Sequence, residues 1–227
     1  MNVLIFGATG MIGQGVLREC LLDDDVSRVV TLGRTATEQQ HPKLHEIVHK
    51  DLYDYTAIEG QLRDFDACFF CLGVSSVGMN EADYTRVTYD LTLAAARTLS
   101  RLNPRMTFVF VSGASTDSTE RGSKMWARVK GRAENALQRL PFKAVYLFRP
   151  GAIQPLHGIR SKTALYQAAY TVLRPFLSTL RALFPNSVLT TEAIGRAMLV
   201  AAREGAETAV LESRDIRRLA EREPVHG

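Results

Sequence analysis

The stretch Gly7-Ala8-Thr9-Gly10-Met11-Ile12-Gly13, directly behind the apolar run Val3-Leu4-Ile5-Phe6, limits what this chain can fold into more than any other. It reads as a short buried strand that runs into three glycines, after which an amphipathic helix opens. Glycine lets the backbone turn sharply and lets a phosphate approach with no Cβ in the way. The free N–H groups of the helix start, at the positive end of its dipole, can hold phosphate oxygens, and Thr9 can add a hydroxyl donor. A glycine-rich turn without a ligand has the same composition, but the strand–turn–helix context is the one that dinucleotide binding requires. Gly7, Thr9, Gly10, Met11, Ile12 and Gly13 are therefore the first candidate cofactor-binding residues.

The remaining pattern alternates. Helices are expected over 11–22, 53–62, 81–102 and up to about residue 140, with strands over 26–32, 44–49, 66–72, 107–111 and 143–148. Strand and helix alternating at these lengths imply right-handed βαβ crossovers. The fold class expected is α/β, a doubly wound, mostly parallel Rossmann sheet with a small helical C-terminal substrate-side segment. A chain of 227 residues, 46% of them hydrophobic, can bury one substantial core, so 1–227 reads as a single domain. Residues 1–150 would form the cofactor-binding core and 151–190 substrate-side or interface helices. The remainder, 191–227, would supply a closing helix, a strand and a charged tail. Apolar helices are expected over 163–184, broken at Arg174-Pro175, and Thr191 is the expected N-cap of the closing helix.

The second strand leads into Gly33-Arg34-Thr35, with no carboxylate between Thr31 and Thr37. A carboxylate there would favour NAD, whereas a guanidinium can pair with a 2′-phosphate and stack on adenine. Arg34 thus predicts NADP(H) in preference to NAD(H). Ligands of such sheets bind beyond the carboxyl ends of the strands, which brings in Cys71-Leu72-Gly73, where the glycine admits the nicotinamide ribose. Cys68 and Cys71 form a C-x-x-C, but in a strand they point to opposite faces and read as core thiols. No His/Cys/carboxylate cluster has ligand spacing, so no metal is expected. The net charge of +4 is spread along the chain, which argues against nucleic acid as a partner. No apolar stretch is long enough to span a bilayer, and three cysteines suit a reducing compartment, so the expected location is cytoplasmic.

Taken together, the stretches Gly7–Gly13, Thr31-Leu32-Gly33-Arg34, Phe70-Cys71-Leu72-Gly73, Val129-Lys130-Gly131 with Glu134, and Phe148-Arg149-Pro150-Gly151 resemble the atypical short-chain dehydrogenases/reductases. Within them the chain is similar to the Tat-interacting oxidoreductase group and to bacterial epimerase-like relatives, over nearly its whole length. The resemblance implies a Rossmann fold and NADP binding, without a substrate. It implies that Asp51 approaches the adenine amino group and that Leu52 lines the adenine slot. Cys71, Leu72, Gly73, Ser112, Lys130, Arg149 and Pro150 complete the implied cofactor set.

The wider superfamily uses a Ser, a Tyr and a Lys four residues after the Tyr, one helical turn apart. Here Lys130 matches, but Trp126 stands at the tyrosine position. An indole N–H only donates and cannot relay a proton. Ser115, or secondarily Ser112, and Lys130 remain as candidate catalytic groups. Tyr84 and Tyr89 lie on the long helix, and His157 is a conceivable acid in a loop. Two readings stay open: an NADPH-dependent oxidoreductase acting on a small carbonyl or related substrate with a non-standard proton source, and a dinucleotide-binding regulatory or interaction protein without catalysis. The implied partner is a small-molecule substrate or none, and a homodimer is compatible with both.

Overall fold

The computed structural model describes residues 1–159 and 188–222. The helices expected over 163–184 lie outside these described residues.

Along β1 (Asn2–Phe6), Val3 and Ile5 face one side of the sheet while Leu4 and Phe6 face the other, and all four are fully buried. A strand buried on both faces needs helices on both, and parallel crossovers provide them. The order β3-β2-β1-β4-β5-β6-β9 forms a seven-stranded sheet whose pairings are all parallel. Its members after β1 are β2 (Arg28–Gly33), β3 (Leu44–Val48), β4 (Ala67–Phe70), β5 (Thr107–Val111), β6 (Ala144–Arg149) and β9 (Val210–Glu212). One face is covered by α1 (Met11–Leu22), α5 (Thr191–Arg203) and α6 (Ser213–Ala220), through Val16, Leu17, Ile194, Met198, Ile216 and Leu219. On the other face lie α3 (Leu91–Leu102) and α4 (Met125–Leu137), through Leu91, Leu99, Ala133 and Leu137. Strand order reverses at β1 and β4, so their carboxyl ends diverge into the crevice where doubly wound sheets bind ligands.

Three local expectations change. The helix expected over 81–102 is divided into α2 (Glu81–Thr85), a π-helical turn (Arg86–Asp90) and α3. The Leu91 N–H reaches back five residues to the Arg86 carbonyl, which also accepts the Tyr53 hydroxyl at 3.2 Å. Such bulges depend on where spare carbonyls find partners, which periodicity does not report. The N-cap of α5 is Thr190, whose hydroxyl accepts the Ala193 N–H at 3.0 Å, rather than Thr191. Thr191 is wholly buried and its hydroxyl accepts the Leu156 N–H instead. Finally, β7 (Ala152–Gln154) and β8 (Val188–Thr190) pair in a small parallel sheet. Strands of three residues are too short to leave a periodic signal.

Candidate functional site

At the carboxyl end of β1 the chain turns through Gly7 at φ +76°, the left-handed region that glycine occupies without strain. A Cβ on Gly7 would lie 2.7 Å from the Leu72 nitrogen, and one on Gly13 would lie 2.1 Å from the Gly7 carbonyl oxygen. Both glycines are therefore required by packing: the first lets the loop press on the end of β4, the second lets α1 press on the loop. Gly10 caps α1 with no side-chain hydrogen bond, and no acidic residue occupies the first turn. The helix start keeps its donors and positive potential for an incoming anion. Beside this loop lies a cavity of about 340 Å³ lined by Gly7, Thr9, Arg34, Thr37, Leu52 and Leu72, among others. Glycine loop, helix start and groove together fit the pyrophosphate and adenosine of a dinucleotide.

The sequence-derived residues fall into two groups. Gly7, Thr9, Arg34, Leu52 and Leu72 meet in the groove, while Gly10 is the N-cap of α1 and Met11, Ile12 and Gly13 form its first turn. Arg34 is exposed and has no ion-pair partner among the described residues. Asp51 is exposed and accepts the Tyr53 N–H at 2.9 Å, a turn that presents Leu52. Gly73 is exposed, and a Cβ there would meet no protein atom within 4 Å, so open space adjoins it. Cys71 is half-buried, and burial pushes its thiol up to about 12. It packs on one face of the sheet and Cys68 on the other, as core thiols do.

The second group lies beyond β5 and on α4. Lys130 is half-buried, and its ammonium donates to the Ser112 carbonyl at 2.5 Å. Desolvation lowers the amine to about 8, against the opposing pull of Glu134. Trp126, half-buried, stands one turn earlier on α4. Ser115 is exposed at φ +67°, an uncommon conformation for serine that turns it out of the loop.

Two of the expected cofactor contacts are committed elsewhere. The Ser112 hydroxyl donates to the Glu134 carboxylate at 2.5 Å rather than facing outward. Arg149 binds both oxygens of Glu134 in a fork, one bond being Nε to Oε1 at 3.0 Å, and also donates to Ser118 at 2.6 Å. That hydrogen bond holds the Arg149 guanidinium above its usual range. Glu134 is 1% exposed, and a carboxylate that deep needs such a partner. Pro150 is buried, its carbonyl accepting the Ala114 N–H at 2.9 Å, which pins the 112–116 loop.

Glu134 is thus the organising residue that sequence reasoning left without a role. Its place among Ala133 and Leu137, which are both buried, was the available signal. Tyr84 is buried, and the Arg132 guanidinium lies 4.3 Å from the Tyr89 ring. His157 pairs with Glu192 at 2.9 Å. Among the described residues no group of His, Cys, Asp and Glu could hold a metal ion, and no helix is long and apolar enough to cross a membrane.

A family model described as the NAD dependent epimerase/dehydratase family matches residues 3–124. Protein fmp52-2, mitochondrial, of Aspergillus oryzae is 26% identical over 223 residues, covering 95% of each chain. Protein HTATIP2 of Rattus norvegicus is 26% identical over 155 residues, 67% of this chain and 62% of that one. Among solved structures, MoeE5 in complex with UDP-glucuronic acid and NAD superposes with a TM-score of 0.67 at 20% identity, over 93% of this chain and 76% of that one. The relation to the Tat-interacting oxidoreductases that the sequence motifs imply therefore holds, as does the fold.

Two expectations are corrected. Solved structures of this fold hold NAD or NADH, so the preference for NADP(H) over NAD(H) is withdrawn. The physical reason is that an exposed guanidinium beyond β2 can lie on adenine without any 2′-phosphate. The cytoplasmic location is withdrawn as well, because the FMP52 relatives are named as mitochondrial proteins. Cysteine count and the lack of a spanning stretch do not distinguish one reducing interior compartment from another.

Proposed function

Because this chain belongs to the NAD dependent epimerase/dehydratase family, whose general function is that of NAD-binding oxidoreductases and epimerases, we propose that it binds NAD(H) and carries out hydride transfer at a carbonyl or carbinol carbon of a small molecule. The observation that supports this reading best is the double close approach of Gly7 on Leu72 and Gly13 on Gly7, beside an open groove at the strand-order reversal. Protein packing of that kind keeps side chains out of the path of a pyrophosphate. In this reading residues 1–150 hold the dinucleotide, and the segment from 151 onward forms the substrate side.

The bound nicotinamide supplies or accepts the hydride. The chain's own groups bind and orient. N–H groups of the 7–13 loop hold the pyrophosphate, Leu52 and Leu72 enclose the adenine, and Arg34 lies over it. Lys130, tethered to the Ser112 carbonyl, directs its ammonium towards the nicotinamide ribose. Ser115 offers a hydroxyl to a substrate oxygen. The Glu134–Arg149 pair holds α4 against β6 and so holds Lys130 in place.

A second reading is favoured by Trp126: a dinucleotide-binding protein in which the proton relay is gone. Titrating the protein with NADH while exciting its single tryptophan tests the site, because Trp126 lies one turn from Lys130. Saturable energy transfer to the nicotinamide is expected. Its absence, with no calorimetric binding, would overturn the cofactor reading. Trp126→Tyr then separates the two readings: gain of NADH-dependent reduction of simple aldehydes and quinones, absent in the wild type, marks a site whose relay was lost.

A further inference from the structure

The pairing of β2 with β3 sets Thr31 opposite Glu46. Neighbours so paired on parallel strands project to the same face, and Thr31 lines the groove beside the glycine loop. The Glu46 carboxylate accepts the backbone N–H of Thr37 with both oxygens, at 3.0 and 3.1 Å, and accepts the Thr37 hydroxyl as well. Thr37 lines the same groove. Among the described residues no cation pairs with Glu46. A carboxylate therefore lies behind the groove lining, in contact with it through Thr37, and Glu46 itself occupies both donors of Thr37.

These two facts act together on the adenosine ribose. A 2′-phosphate seated here would find the Thr37 N–H and hydroxyl already taken and would lie close to the carboxylate that takes them. A ribose diol brings donors of its own and no charge. Arg34 remains available to either ligand, as a cation over the adenine. Resting on the NAD(H) reading above, we propose that Glu46 is the residue by which this chain selects NAD(H) against NADP(H). It does so from the middle of β3, reaching the groove through Thr37, and not from the end of β2.

The test is a pair of binding titrations, NADH and NADPH, on the full chain and on Glu46→Gln, by calorimetry and tryptophan energy transfer at two ionic strengths. The wild type binds NADH more tightly. Glu46→Gln, which keeps one acceptor for Thr37 but no charge, tightens NADPH about tenfold and leaves NADH within about twofold. Raising salt narrows the wild-type gap, because screening weakens repulsion. Attraction to Arg34 would produce the opposite sign.

An unchanged NADPH/NADH ratio in the variant, or equal weakening of both ligands, overturns the inference, the latter because it marks a merely structural loop contact. Should Glu46→Gln fail to fold, the wild type compared on 5′-AMP and adenosine 2′,5′-bisphosphate carries the same test. A tighter bisphosphate, or a preference for 5′-AMP that does not narrow with salt, overturns the inference. Wild-type binding of neither dinucleotide overturns the cofactor reading itself, and this inference with it. NADH binding without discrimination overturns the role of Glu46 alone.

Discussion

Removing the charge of Glu134 is the sharpest perturbation of the frame that carries Lys130. Glu134 is 1% exposed and Arg149 9%. In Glu134→Gln the amide keeps the volume and one acceptor, but the Arg149 guanidinium becomes a nearly buried cation facing a neutral group. Breaking one partner of a buried pair costs about 3–5 kcal/mol. The retained amide oxygen and the outer partners Ser118 and Glu212 place this case at the lower end, about 3 kcal/mol. For a chain of 227 residues that is a fall in Tm of about 6–12 °C. Replacing both partners, Glu134→Leu with Arg149→Met, removes two desolvated charges together and is expected to recover most of the loss. Thermal and urea unfolding, followed by far-ultraviolet circular dichroism at pH 7, give the cycle. A loss below about 1 kcal/mol in Glu134→Gln, or a double variant as unstable as the sum of its singles, would refute the reasoning.

Three further outcomes follow from the same geometry. Gly13→Ala would set a Cβ 2.1 Å from the Gly7 carbonyl, so NADH affinity is expected to drop at least tenfold in calorimetry even where the variant still folds; unaltered affinity would separate the loop from the cofactor. Lys130 has its amine lowered to about 8 in the folded state, so the folded protein binds fewer protons than the unfolded chain between there and the ordinary lysine range. Its burial penalty is complete below about pH 8 and fades as pH rises towards the ordinary value of 10.5. Lys130→Met is therefore expected to gain stability over wild type at pH 7 and to lose that advantage by about pH 10.5, read from urea midpoints. A gap constant with pH would contradict the shift. Cys68 is fully buried with its thiol raised, and Cys71 is raised to about 12, so neither is expected to react with a disulfide reagent at pH 7 on the timescale at which the unfolded chain reacts; rapid native labelling would mark a reactive pair.

The parallel sheet was legible because each strand leaves a short apolar run and each crossover helix a 3.6-residue stripe. The glycine loop was legible for a related reason. Its requirements are local, a positive φ at Gly7 and contact across six residues between Gly7 and Gly13. Arg34 and Leu72 are expected at one sheet edge from their places at strand ends, Leu52 only from the family resemblance, and the three do line one cavity. Ser112 and Arg149 were drawn from the same edge, yet both turn inward. Whether a polar side chain at a strand end faces ligand or core depends on what sits opposite, and Glu134 sits on a helix fifteen residues before Arg149. The π turn at Arg86–Asp90 was illegible for a similar reason, since its Arg86 carbonyl also accepts a hydroxyl from Tyr53, far away in the chain.

The nucleotide preference divides the same way. From the chain alone, the absence of a carboxylate between Thr31 and Thr37 pointed to a phosphate, because only neighbours in sequence could be inspected. The fold sets Glu46 beside Thr31 and bonds it to Thr37. Sequence by itself determined the fold class, the glycine loop and the spacing of Trp126 four residues before Lys130, since each is written in consecutive or helically spaced residues. Only the tertiary structure decided which charges face the ligand and which face one another, because electrostatic partners are chosen by distance in space and burial, neither of which order along a chain specifies.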